Sequence, residues 1–270
     1  MVATPIGHLG DFSFRGVETL QRAAVIACED TRHTRRLLTH YGIAAPLVSI
    51  HAHTRPETIE KLLDRVASGE SVAYVTDAGT PGISDPGGVL AERAHARGLP
   101  VVPVPGPAAV LAALAAAGFP ADRFVFLGFL PKRGTSRAEL VARIAAERYT
   151  SVCYESPGRT PALLAELAGA CGADRPGAVA RELTKLHEEI RRGTLGTLAA
   201  YYEAHPPRGE VTVVIAGAPA RARPAADVPV PDAAATVAEL RDTGSPTAVA
   251  KELSRRLGIS RQDAYRLLTR

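Results

Sequence analysis

Apolar residues follow two rhythms along this chain. Ile59, Leu62, Leu63 and Val66 recur at i, i+3, i+4 and i+7, which predicts one face of a helix ending before Gly69. Short runs such as Val25 to Cys28, Ser71 to Thr76 and Val101 to Val104 read instead as buried strands. Between them lie helical patterns at Phe14 to Arg22, Val89 to Arg97 and Pro107 to Ala117, the first capped by Ser13, the last two stopped by Gly98 and Gly118. Val2 to Thr4 reads as the end of a first strand. Strand and helix alternate, the pattern of a parallel α/β sheet.

The alternation restarts after Pro120. Strands are expected at Phe124 to Leu127, Ser151 to Tyr154, Ala178 to Arg181 and Val211 to Ala216, with helices at Arg137 to Arg148 and Pro161 to Ala170. The organisation predicted is an α/β domain over 1–118, a second over 119–218, a proline- and alanine-rich linker over 219–231, and a small basic helical domain over 232–270. In the last, Val249 to Leu257 and Arg261 to Leu268 form a helix-turn-helix pattern around Gly258.

Composition narrows the class. With 46% hydrophobic residues in 270 the chain can build real cores, and no apolar run is long enough to span a membrane. The N-terminus carries no export signal, so a cytoplasmic setting is expected. Cys28, Cys153 and Cys171 are too scattered for a disulfide framework or a zinc site and read as small buried residues. The histidines form no metal set; His51 and His53 would share one side of a strand. The net charge of +4 sits entirely beyond Thr247, where six basic residues face two acidic ones. That stretch suits either an RNA-facing patch or a solvated helix face.

Four strand-to-helix junctions carry residues that neither a core nor a surface requires. The first is Ala3 to Asp11, with a Gly-x-x-Gly turn that lacks the dinucleotide fingerprint. The second, Glu29-Asp30-Thr31-Arg32, follows a strand, where open α/β sheets bind ligands; Asp30 alone could be only a helix cap. The third, Thr76 to Gly88, holds four glycines, two prolines and two aspartates but no lysine, which excludes a P-loop and suits a ligand held by main-chain groups. The fourth is Pro103 to Ala109. Such loops converging on one sheet edge predict a pocket.

These runs, with Gly128 to Lys132, Tyr154 to Pro157, Arg181 to Lys185 and Gly209-Glu210, resemble in order the bacterial family of ribosomal RNA small-subunit methyltransferases within the tetrapyrrole-methylase superfamily. The resemblance spans Val2 to Ala216. It implies a two-domain tetrapyrrole-methylase fold of the class III methyltransferases, plus a C-terminal helical segment. S-adenosylmethionine is then the cofactor, held in the interdomain cleft, with no metal. The implied reaction is 2′-O-methylation of a cytidine in 16S ribosomal RNA near the decoding centre, with the RNA in the small subunit, no membrane partner, and a homodimer as the assembly.

Carried over by position, Ile6, Gly79, Thr80, Pro81, Ile83, Ala108, Ala109 and Leu183 would contact the cofactor. Glu29, Asp30, Arg32, Lys132, Glu155 and Glu182 would form the catalytic side, with Arg181 near the substrate. Three departures from the family pattern stand out: Ala108 replaces a usual serine, His51 to Thr54 replaces a more acidic stretch, and the first strand is short.

Transfer of a methyl group from a sulfonium requires alignment and a group to take the hydroxyl proton. Asp30, Glu29 and Glu155 are candidates for the latter, as are Lys132 or Lys185 if burial lowers their pKa. Two other functions stay open at this point: a porphyrinoid methylase on the same fold, and a non-catalytic RNA-binding protein, the latter disfavoured by 5% aromatic content.

Overall fold

Helices begin where a side chain can take up their orphan N–H groups. In the computed structural model, which describes residues 1–51, 53–219, 233–241, 244–257 and 259–268, Ser13 Oγ accepts from the Gly16 N–H at 3.0 Å and opens α1 (Phe14–Arg22). The described residues divide into two units, Met1–Ala218 and Pro219–Arg270.

In the larger unit, β1 (Val25–Cys28), α2 (Thr31–His40), β2 (Leu47–Ser49), α3 (Pro56–Ala67), β3 (Val72–Val75) and α4 (Gly87–Ala96) follow in order. The strands pair in parallel as β2-β1-β3. Alternate residues feed two cores. Ile26, Cys28, Ala73 and Val75 meet Leu20, Leu37 and Leu38, while Val25, Ala27 and Tyr74 meet Ile59, Leu62, Leu63 and Leu90. Both faces are therefore covered, as a parallel sheet requires.

The strands expected at Val2 to Thr4 and Val101 to Val104 reduce to isolated bridges. Val2 pairs with both Val75 and Val104, and Thr4 with Gly79. Pro5, Pro103 and Pro105 lack the N–H groups that a continuous ladder needs. The chain is nonetheless held there, since the Val104 N–H donates to Met1 O and the Ala3 N–H to Val104 O.

Next come α5 (Ala109–Ala117), β4 (Phe124–Phe129), α6 (Thr135–Ala146), β5 (Thr150–Glu155), α7 (Thr160–Cys171), β6 (Pro176–Arg181), β7 (Glu189–Thr194), α8 (Leu195–Ala204) and β8 (Val211–Ile215). The second sheet has the order β4-β5-β8-β6-β7. Only β4 and β5 are parallel; β8 and β7 run antiparallel to their neighbours, so the expected parallel sheet is here a mixed one. The turn from Arg181 to Glu189 is too short for a crossover and reverses the chain. Helices α6, α7 and α8 cover one face through Ile144, Leu163, Leu164, Leu167, Leu195 and Leu198. Alanine-rich α5 covers the other, with Val110, Ala113, Leu114 and Ala117 against Val152, Ala178, Ala180 and Val214.

Strands β2 and β7 and helix α8 go beyond the sequence reading. Edge strand β7 is polar, and α8 begins at a reciprocal cap between Thr194 and Thr197. His51 and His53 lie in a turn and not on a strand: the His51 N–H donates to Thr54 Oγ1 at 2.7 Å, and the His53 N–H to His51 Nδ1 at 3.1 Å. Cys28 and Cys153 are buried and Cys171 is half-buried.

The smaller unit contains α9 (Ala233–Leu240), α10 (Pro246–Leu257) and α11 (Arg261–Leu268). Leu240, Val249, Ala250, Leu253 and Ala264 make its core. Arg256 pairs with Glu239 at 3.3 Å and Glu252 at 3.1 Å, Arg255 pairs with Glu252, and Arg266 lies 3.6 Å from Asp263. The linker expected at 219–231 falls outside the described residues from 220 onward, as do Ala52 and Gly258.

Candidate functional site

The second and third junctions follow β1 and β3, which run side by side, so Glu29 and Thr76 to Asp85 emerge at one sheet edge. Side chains then fix the loops. Asp85 is the organiser of the third: its Oδ2 accepts from the Gly82 and Ile83 N–H groups at 2.8 and 3.2 Å, and its Oδ1 from Gly87 at 2.7 Å. Ser84 sits at φ 65° within that turn, a left-handed conformation costly for a residue with a Cβ. The Thr80 hydroxyl donates to Pro107 O at 3.0 Å and joins the third junction to the fourth. The Asp30 N–H donates to Asp77 Oδ1 at 3.0 Å and joins it to the second.

A contact from the second sheet closes the arrangement. The His8 N–H donates to Thr184 Oγ1 at 3.0 Å. Gly7 allows this approach: a Cβ there would lie 2.5 Å from Lys185 Cγ and 3.1 Å from Leu183 O. Leu183 is buried in one core with Ile6.

These loops enclose a cavity of about 310 Å³. Ile6, Ile83, Ala108 and Ala109 give it an apolar wall, and Gly79, which has only main chain to offer, lines it beside Thr80. Its lining holds five carboxylates, Glu29, Asp77, Asp85, Glu155 and Glu210, and no lysine, arginine or histidine. Phe129 and Tyr154 add an aromatic side. In a regular strand Phe126 and Phe129 would point to opposite faces, but the register slips between them, where Gly128 takes φ 60°. Both rings thus meet Tyr154 edge-on, at 4.9 and 5.5 Å.

Of the residues carried over by position, Ile6, Gly79, Thr80, Ile83, Ala108, Ala109, Glu29 and Glu155 line this cavity. Pro81, Leu183, Asp30, Arg32, Lys132 and Glu182 are not among its lining residues. The sequence reading did not assign Asp77, Asp85, Tyr154, Phe129 or Glu210 to the site. The aspartates lay in the loop already singled out, whereas nothing local marks Phe129 as a neighbour of Tyr154.

The carboxylates differ in what holds them. Asp30 caps α2, accepts from the Arg32 side chain at 2.8 Å, and is held far below the usual carboxylate range by that hydrogen bond. Glu182, at φ 51°, accepts from Lys185 Nζ at 2.8 Å and from the Glu210 N–H at 3.0 Å, and both lower its pKa. Glu155, 2% exposed, pairs with Arg159 through Oε1, which also accepts from the Ser156 N–H at 2.7 Å; its Oε2 lies 3.9 Å from Arg137 and has no hydrogen-bond partner. Glu29 is pushed up, first by burial and then by the negative charges of Asp77 and Asp85. Among the described residues no group of three or more His, Cys, Asp or Glu side chains could hold a metal ion, and no helix is long and apolar enough to cross a membrane.

Comparison with known proteins places this geometry in context. The family model of the tetrapyrrole (corrin/porphyrin) methylases matches residues 1–199. A protein of Synechocystis sp. named ribosomal RNA small subunit methyltransferase I is 47% identical over 224 residues, covering 83% of this chain and 80% of the relative. One of the same name from Xylella fastidiosa is 46% identical over 220 residues, with 81% of each chain covered. Among solved structures, a cobalt precorrin-4 methyltransferase of cobalamin biosynthesis superposes with a TM-score of 0.62 at 22% identity, covering 80% of this chain and 92% of that one.

Proposed function

The chain belongs to the tetrapyrrole methylase family, and from that membership we propose that it methylates the ribose 2′-hydroxyl of a cytidine in 16S ribosomal RNA, using S-adenosylmethionine. The observation that carries the cofactor is the cavity lined by five carboxylates and no basic side chain. Such a lining suits a ligand whose sulfonium and ammonium are both cationic, and repels phosphates. Ile6, Ile83, Ala108 and Ala109 would hold the apolar part of the adenosine, and the main chain of Gly79 and Thr80 its polar edges. Ala108 offers no hydroxyl, so contacts from this position come through main chain.

When bound, S-adenosylmethionine supplies a methyl group on positively charged sulfur. The protein aligns the acceptor oxygen with that methyl and takes the hydroxyl proton. Glu29 is the carboxylate suited to the second task, because burial and two negative neighbours raise its proton affinity. Asp30 and Glu182 are committed to hydrogen bonds that lower theirs, and Glu155 faces two arginines. We read Glu155 as a fixed negative charge and Glu182 as the clamp between the turn after β6 and Glu210. Arg32 and Lys132 are both exposed, which supports a role for them in meeting RNA phosphate. The small-subunit setting, a homodimer and a cytoplasmic location belong to the same proposal, as does a division of the larger unit into lobes 1–118 and 119–218.

The names of the two relatives support RNA over a porphyrinoid. The test is incubation with cofactor labelled on the methyl group and small ribosomal subunits lacking the modification. Label on the 2′-oxygen of a single cytidine is expected. No transfer to RNA, with transfer to a porphyrinoid such as uroporphyrinogen, would overturn the reading.

A further inference from the structure

A second cavity, of about 350 Å³, opens behind the clamp formed by Glu182. Gly209 lines both this cavity and the carboxylate-lined one. Its character is different. At its mouth stand His187, His205 and Arg208, all exposed, and Arg208 joins no ion pair among the described residues. Pro206 and Pro207 precede Arg208 and stiffen the chain that leads into it.

A stack of planar groups forms one side. The Arg191 guanidinium lies 3.6 Å from the centre of the Tyr201 ring. His205 stacks on Tyr201 with centres 4.6 Å apart and planes 20° from parallel. Two groups so close to one ring centre cannot share a face, so Tyr201 is sandwiched. His205 Nδ1 is 3.1 Å from Tyr201 O, and since a carbonyl only accepts, Nδ1 carries the proton and fixes the ring. Nε2 and the outer face of His205 are left to a ligand. Tyr202 also lines this cavity; it is 1% exposed, and its hydroxyl has no hydrogen-bond partner. Unmet buried hydroxyls are rare, because each costs desolvation without return. Burial pushes this phenol up to about 12, so it remains a donor at working pH.

We infer that this cavity is a subsite for a nucleobase of single-stranded RNA flanking the acceptor nucleotide, which stacks on His205 and takes a hydrogen bond from Tyr202 while Arg208 meets the adjoining phosphate. Aromatic stacking, an unused donor and an unpaired cation are the features that recognise a splayed-out nucleotide. Gly209 borders both cavities, so this one adjoins the carboxylate-lined site, as a neighbour on the same strand requires. The inference rests on the RNA reading above and extends it from the acceptor to the adjoining residue.

The probe is the small ribosomal subunit lacking the modification, with steady-state methyl transfer as the readout. Wild-type protein is assayed first: no transfer to RNA would withdraw the functional reading and the subsite together. Given wild-type transfer, His205→Ala is expected to raise KM roughly tenfold, the usual loss for one stacked base, with kcat and cofactor affinity unchanged. His205→Phe keeps a stacking face and should restore most of that loss. Arg208→Ala should make the salt dependence of subunit binding shallower by about one unit, one phosphate contact. Tyr202→Phe should raise KM without lowering thermal stability, because it removes an unpartnered hydroxyl; a purely structural tyrosine would give lower stability and an unchanged KM. An unchanged KM in His205→Ala, or equal KM increases in His205→Ala and His205→Phe, would overturn the subsite.

Discussion

Replacing Asp85 by asparagine changes one atom and strikes the third loop at its organiser. The carboxylate accepts three backbone N–H groups, from Gly82, Ile83 and Gly87, at 2.7 to 3.2 Å. The amide can keep its oxygen on the Gly82 and Ile83 side, but its NH₂ then faces the Gly87 N–H and that bond is lost. The remaining two change from charge-assisted to neutral. Hydrogen bonds to charged groups contribute about 1.5–3 kcal/mol and neutral ones about 0.5–1.5, so one bond lost and two weakened cost the loop roughly 3.5–6 kcal/mol. The strained φ of Ser84 has then less to hold it. Part of this loss is paid when the cofactor binds, and at about 1.4 kcal/mol per tenfold the expected weakening is roughly ten- to hundredfold. Calorimetry with S-adenosylmethionine measures it. The Asp85→Asn change also removes a negative charge from the cavity, so the same titration with S-adenosylhomocysteine, which lacks the sulfonium, separates the two effects. Equal weakening of both ligands is expected from loop geometry. Weakening of the sulfonium alone, or affinity within about twofold of wild type for both, would refute the assignment of Asp85 as the loop's organiser.

Glu29→Gln should lower kcat by roughly a hundred- to ten-thousandfold while cofactor affinity holds, the usual span for loss of a general base; single-turnover kinetics with a near-wild-type rate would remove Glu29 from that role. Glu29 must be ionised to accept a proton and its pKa is raised, so kcat should fall as pH drops through a value above the ordinary carboxylate range. Asp77→Asn removes one of the charges that raise it, and the acid limb of the pH profile should move to lower pH; a limb that stays put contradicts the stated cause. Replacing Lys251 and Arg261 together by alanine should flatten the salt dependence of subunit binding by about two units, one for each, because their neighbours Arg255, Arg256 and Arg266 already face carboxylates. An unchanged slope would assign these two residues no phosphate contact.

Where local chemistry decides the structure, the sequence is readable. Ser13, the 59–66 stripe and Gly118 mark helix ends and faces by interactions within a few residues, and they stand as read. The third loop was legible because no core or surface needs so many glycines, prolines and aspartates together. What escaped depends on distant partners. β7 is polar because it lies at a sheet edge, and its pairing with β6 is visible only once the turn after Arg181 reverses the chain. The direction of β8 and β7, and so the mixed sheet, is not encoded in the hydrophobic alternation, which is the same for either direction. Phe129 reaches Tyr154 through a slip at Gly128. The clamp of Glu182 also escaped, because its bond from the Glu210 N–H joins residues 28 apart in the chain, which no local pattern announces.

Helix α5 has an implication for taking this protein apart. It follows the first sheet in the chain, yet its apolar face is buried by the second, through Val110, Ala113, Leu114 and Ala117. A cut in the Gly118 to Pro120 connection would therefore leave the N-terminal fragment with an uncovered alanine helix and the C-terminal fragment with a bare sheet face. Neither piece would be a self-sufficient module, but each would carry the complement of the other's exposed surface. The break suits a split-protein reporter, in which reassembly of two co-expressed fragments is driven by the docking of one short helix.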